Sequence, residues 1–319
     1  MSTTVMSEPN PAPVDQDAAR RRATSVKRAW LSALVIAIVA LVVGGAVTFS
    51  WMINETHFDR PTPEFDTLVS QVEGLPGAVE VDEERWVEAP TFSDPTSWVS
   101  VTVDRAGLPG LLEAACSTDY PDVVTWSIRV RTPAEAEVSL HAARTAPNTA
   151  GDERCPDFGF DAVRLVEELD RVAPGLDIQP TIWDNGRFAL VALEEEMPTG
   201  FTHLLPLIEH ADDLLVAAGL DANAVVEINA ANLGFVLEPG ESDGYLALLT
   251  ELADHSVSSY WTEGGGTPVD GIDKVQIVAP DQQHTAIEEI IRSSGLPVAD
   301  LPVRFLEPSP GAVPRAVNS

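Results

Sequence analysis

His203, His210 and Asp213 are the most ligand-like trio in the chain. On one continuous helix, a spacing of seven residues sets the two imidazoles two turns apart on one face. Asp213 then lies one turn further. Two turns is wider than both rings reach to one zinc, and Pro206 interrupts the stretch, so a polar helix face is the expectation. Asp221, Asn223 and Glu227 begin like a calcium loop. However, Val225 and Val226 occupy the positions that need an oxygen ligand and the sharp-turn glycine. The acidic runs Asp82, Glu83, Glu84 and Glu194, Glu195, Glu196 read as solvated edges. No metal site and no cofactor is expected from these groups.

Covalent chemistry has no recognisable framework. HExxH, SxxK with its partner motifs, GxxxxGK[ST] and GxGxxG are all missing. Asp157, Phe158 and Gly159 spell DFG without any accompanying kinase loop. Cys116 and Cys155 are the only cysteines. A CxxC pair is absent, so a disulfide is expected rather than a reactive dithiol, provided the domain sits in an oxidising compartment. Such a bridge stabilises by about 3–4 kcal/mol on the loop-entropy relation. Trp86, Trp98, Trp126, Trp183 and Trp261 recur in strand-like segments. Core packing explains them, and an exposed subset would form a glycan- or peptide-binding platform.

The compartment is set by the stretch Ala29 to Ile53, AWLSALVIAIVALVVGGAVTFSWMI, which carries no charge. As a helix rising 1.5 Å per residue it crosses a hydrocarbon core of about 30 Å. Arg20, Arg21, Arg22, Lys27 and Arg28 precede it closely, so the positive-inside rule holds residues 1–28 in the cytoplasm. The rest of the chain then lies outside. Trp30 and Trp51 sit near the two ends, as interfacial anchors do. A cleaved signal peptide is the rival reading, with Gly44 and Ala46 as its small residues, but the apolar run continues past them. Ala33 with Ala37, and Ala40 with Gly44, give small-xxx-small spacings that would allow a homodimer through this helix.

The formal net charge is -31, concentrated after the span because residues 1–28 are slightly basic. A surface this acidic repels nucleic acid and anionic headgroups. With 45% apolar residues, the region beyond the membrane buries a core and is not a disordered tether. Lys27 and Lys274 are the only lysines, which fits a GC-rich bacterial genome.

Behind the span, element order repeats. Residues 54–63 read as a linker. Phe65, Leu68, Val69 and Val72 stand at i, i+3, i+4 and i+7 of a helix that GLPG at 74–77 ends. Two strands, a second helix at 108–116 and a strand at 123–130 follow, with a further strand near 138–141. The order returns from Phe160, through strands around the turn Asp184, Asn185, Gly186, to a helix over 201–218 and extended segments to 237. Tyr245, Leu248, Leu249 and Leu252 open a third round with the same spacing, which ends at a strand over 303–306. The expected fold class is therefore α+β, with two to three αββαβ modules over 64–145, 155–240 and 241–307. Residues 1–28 and 308–319 are expected to be disordered tails. In element order alone, the modules resemble ferredoxin-like or BON-type units of envelope proteins. A single fused sheet is the alternative arrangement.

These readings favour a single-pass, membrane-anchored extracytoplasmic module that binds an envelope protein or polymer without catalysis. An envelope hydrolase with a site assembled from distant loops is the second reading, and a sensor acting through a partner is the third.

Overall fold

The computed structural model describes residues 57–88, 94–142, 155–193, 200–262 and 272–307. The expected membrane helix over 29–53, both tails and the run Glu194 to Glu196 lie outside the described residues. Among the described residues, no helix is long and apolar enough to cross a membrane. The chain divides into two units, residues 1–58 with 87–93 and residues 59–86 with 94–319. Of the first, only 57, 58, 87 and 88 are described, the ends of two strands.

The fold is mixed α/β, with one sheet of twelve strands and seven α-helices among the described residues. The strands lie in chain order: β1 (His57–Asp59), β2 (Ala78–Glu88), β3 (Thr96–Asp104), β4 (Val124–Arg131), β5 (Glu137–His141), β6 (Asp177–Ile182), β7 (Phe188–Ala192), β8 (Val226–Asn229), β9 (Leu233–Leu237), β10 (Ser259–Trp261), β11 (Val275–Val278) and β12 (Val303–Phe305). From β2 onward, antiparallel and parallel pairings alternate. β2–β3, β4–β5, β6–β7, β8–β9 and β10–β11 are antiparallel. β3–β4, β5–β6, β7–β8, β9–β10 and β11–β12 are parallel.

The connections dictate that alternation. A direct turn can join only antiparallel neighbours, while a parallel pair needs a crossover. The crossovers are α2 (Leu108–Ser117), α3 (Ala162–Val172), α4 (Leu205–Glu209) with α5 (Ala211–Ala217), α6 (Ser242–Asp254) and α7 (His284–Ser293). α1 (Pro63–Glu73) precedes β2. In a split βαβ unit of the ferredoxin-like kind, another strand lies between the two parallel ones. Here β3 and β4 pair directly, from Ser97↔Val124 to Asp104↔Arg131. The helix–strand–strand–helix–strand rounds are present in the expected order, and their strands continue one sheet instead of closing separate ones.

The apolar spacings account for the core. Phe65, Leu68, Val69 and Val72 of α1 are buried, as are Tyr245, Leu248, Leu249 and Leu252 of α6. They share one cluster with Val99, Val101 and Val103 of β3, Trp126, Ile128 and Val130 of β4, and Phe188 and Leu190 of β7. Period-2 alternation turns the residues between these to the opposite face. That face is half-buried or exposed on β3, β4 and β6, and closed at Ala189, Glu227, Ser259 and Gln276 further along.

Local signals set the ends of the elements. Thr62 accepts the Phe65 N–H at 3.2 Å, and Pro63 opens α1 where no donor is needed. Asp161 caps α3 through the Arg164 N–H at 3.1 Å. At Gly107 a Cβ would stand 2.6 Å from the Pro76 carbonyl oxygen and 2.9 Å from Val103, so only glycine allows the chain to pass.

Candidate functional site

A polar-rimmed recess with an apolar floor lies at one end of the strands, where the β6–β7 turn meets the loop between α5 and β8. Gly186, at φ 80°, closes that turn, with the Trp183 N–H donating to the Arg187 carbonyl at 2.9 Å. The cavity has a volume of about 530 Å³. Ile182, Phe188, Leu220, Ala224 and Val225 form its apolar lining, and Asn185, Arg187, Asp221 and Glu238 its polar one. None of these residues is a hydroxyl, thiol, amine or imidazole.

Arg187 is the group that gives the cavity its chemistry. Its backbone N–H donates to Asn185 Oδ1 at 3.0 Å, which fixes the residue at the turn. Its Nη1 lies 3.3 Å from Glu227 Oε2. Glu227 is only 5% exposed, and a polar side chain buried to that degree needs a partner, which Arg187 supplies. At the rim, Asp221 Oδ1 accepts the backbone N–H of Asn223 at 2.9 Å and its Nδ2 at 3.0 Å. Those bonds, the backbone one first, hold the Asp221 carboxyl below its usual range despite some desolvation. Asp221 and Glu227 therefore serve different ends: one makes an exposed loop turn, the other an ion pair within the sheet.

A second pairing lies on the sheet face turned away from the core. Asp82, Ser100, Ser127 and His141 follow one register row from β2 to β5. Ser127 Oγ is 3.3 Å from His141 Nε2. Desolvation lowers the His141 pKa below its ordinary 6.5, so the ring is neutral at pH 7 and able to accept a proton. Among the described residues no carboxylate orients that ring. Trp98 faces Glu84 and Thr125 across the adjacent row, and Trp86 faces Thr96.

The tryptophans thus divide. Trp126 is 2% exposed and belongs to the core. Trp86, Trp98 and Trp261 are half-buried, and Trp183 is 38% exposed beside the turn at the cavity. Trp30 and Trp51 lie outside the described residues.

The histidine trio does not assemble. The stretch expected as one helix over 201–218 is a 3-10 turn at Thr202–Leu204 followed by α4 and α5. Pro206 lies in the first turn of α4, where its missing N–H is harmless, and His210, at φ -111°, sits in the break between α4 and α5. His210 Nδ1 lies 3.4 Å from Asp213 Oδ2, while His203 lines a separate recess with Gly200, Thr202 and Ser256. Among the described residues, no group of three or more His, Cys, Asp and Glu is placed to hold a metal ion. Asp157 of the DFG triplet accepts the Gly159 N–H at 2.8 Å, a local turn.

Cys116, near the end of α2, and Cys155 stand at disulfide distance, with sulfurs 2.19 Å apart. Nearby, Arg85 forms a polar network that sequence spacing did not signal. Its Nε donates to the Tyr120 hydroxyl at 3.0 Å and its Nη2 lies 2.8 Å from Asp122 Oδ2. The same hydroxyl is 2.7 Å from Ser97 Oγ. Burial works against the Arg85 charge, but the bonds to Asp122 and Tyr120 outweigh it and raise the pKa.

Compared with protein-family models, curated proteins and solved structures, the chain matches none.

Proposed function

We propose that the chain is a single-pass, membrane-anchored binding module of the bacterial cell envelope, with residues 1–28 in the cytoplasm and the sheet outside. It works as a non-enzymatic scaffold or receptor toward an envelope protein, polymer or small ligand. The apolar run from Ala29 to Ile53 and its basic flank support the anchoring. The αββαβ rounds act as tandem modules presenting one continuous surface, and self-association through the small residues of the span would double it.

The observation that carries binding over catalysis is the cavity at Arg187. It combines an apolar floor with charged groups at its rim, and no hydroxyl, thiol, amine or imidazole lines it. Crosslinking of the full chain in intact membranes, followed by capture, tests the reading. A reproducible envelope partner is expected. Recovery of the chain in the soluble fraction, or the absence of any partner or ligand, overturns it.

Ser127 and His141 favour a second reading, an envelope hydrolase, because a hydroxyl and a neutral imidazole 3.3 Å apart form a nucleophile–base pair. Ester turnover abolished by His141→Ala and Ser127→Ala alike would establish that reading. Turnover that survives both changes would exclude it.

A further inference from the structure

We propose that the cavity at the β6–β7 turn binds a small zwitterion of the amino acid or short-peptide class, with its carboxylate on Arg187 and its ammonium group at Asp221 and Glu238. This rests on the reading of the chain as a binding module. Three features of the cavity lead to it.

The first is donor capacity. A guanidinium carries five N–H donors in a planar fork. Among the described residues Arg187 uses one nitrogen, Nη1, toward Glu227, and Nε and Nη2 have no protein acceptor. Glu227 is immobilised in β8 and nearly buried, and the Arg187 backbone is tied to Asn185. The fork is therefore held in place with its remaining edge unspent, the arrangement that receives a carboxylate through two parallel hydrogen bonds.

The second is the sign of the rim. Asp221 and Glu238 line the same cavity, and the Glu238 carboxylate has no side-chain partner among the described residues. A simple anion such as phosphate would meet two carboxylates and a chain of net charge -31. A simple cation would meet Arg187. A ligand that bears both charges satisfies both groups at once.

The third is shape. Ile182, Phe188 and Leu220 give the floor an apolar surface that suits an aliphatic or aromatic side chain between the two charged ends. A volume of about 530 Å³ lies within the usual range for small-molecule sites.

The test is calorimetry on the detergent-solubilised full chain, with L-leucine and the dipeptide leucyl-leucine as probes. N-acetyl-leucine lacks the ammonium group and leucinamide lacks the carboxylate. The zwitterions are expected to bind at least about tenfold more tightly than either blocked form, since each lost charged contact is worth about that factor. Arg187→Gln should abolish the preference over leucinamide. Because that change leaves Glu227 unpaired, the double variant Arg187→Gln with Glu227→Gln controls for unfolding and should behave alike. Asp221→Asn with Glu238→Gln changes only exposed side chains and should abolish the preference over N-acetyl-leucine. Equal binding of all four probes, or no binding of L-leucine and leucyl-leucine at millimolar concentration, overturns the assignment. Capture of an envelope partner alongside such a negative result would sink the ligand class alone and leave the binding module standing.

Discussion

Arg105 Nη1 lies 2.9 Å from Asp170 Oδ2, joining the turn after β3 to helix α3 across sixty-five positions of sequence. The other oxygen of Asp170 accepts the Ala134 N–H at 2.8 Å. One nearly buried carboxylate therefore ties together the end of β3, the β4–β5 turn and α3. Asp170→Asn should lower unfolding stability by about 2 kcal/mol, because it removes a charge-assisted bond in a shielded position. Urea denaturation of the full chain in detergent measures it. A midpoint unchanged within error would show that this clamp is idle.

Cys116 and Cys155, at a sequence separation of 39, close a loop that contains β4 and β5. Replacing both by serine should cost about 3–4 kcal/mol through the freed entropy of the unfolded chain. Thiol titration of the denatured, unreduced chain should detect no free sulfhydryl. Two free thiols would show that the pair stays reduced where the protein resides.

Tyr260 is fully buried on β10, edge-on to Phe235 with ring centroids 6.3 Å apart, and its hydroxyl has no hydrogen-bond partner among the described residues. Burial, with a smaller contribution from Tyr245, pushes its pKa well above the ordinary 10.0. Tyr260→Phe keeps the ring and removes the unpaired group, so it should stabilise the chain by about 1 kcal/mol. A loss of similar size would mean that the hydroxyl has a partner after all, such as an internal water.

His141, exposed at the end of β5, should add a small pH dependence to stability. Its folded pKa is lowered from 6.5 by desolvation, so the unfolded chain takes up a proton there first on acidification. That contribution to stability is present above pH 6.5 and is lost as pH falls from 6.5 toward the lower folded value. His141→Gln should flatten this part of the stability profile, as thermal melts across the window would show. A profile of unchanged slope would rule out His141 as its source.

What was readable in the chain was local. The i, i+3, i+4, i+7 spacing of Phe65, Leu68, Val69 and Val72 is a property of consecutive residues, and it marks the buried face of α1. The turn at Asp184 to Gly186 likewise declares itself, and with it one wall of the cavity. The pairs that matter for chemistry are products of register. Ser127 meets His141, and Arg187 meets Glu227, only because β4 pairs with β5 and β7 with β8 at one particular offset. A slip of one residue would turn each pair to opposite faces, and no single segment encodes that choice. The stretch that carries His203, His210 and Asp213 shows the converse: spacing along an ideal helix has no meaning where the helix is interrupted at His210.

The chain-order sheet also bears on how the molecule is made. From β3 onward, each new strand pairs with the one before it, so none has to wait for a distant partner or be inserted between two strands already joined. Contacts of short sequence separation form quickly, and a nascent chain acquires them in the order in which it is synthesised. Assembly can thus run like a growing edge, from the first hairpin to the last strand. A chain halted partway would present one new edge, at its last strand, and no gap within the part already formed.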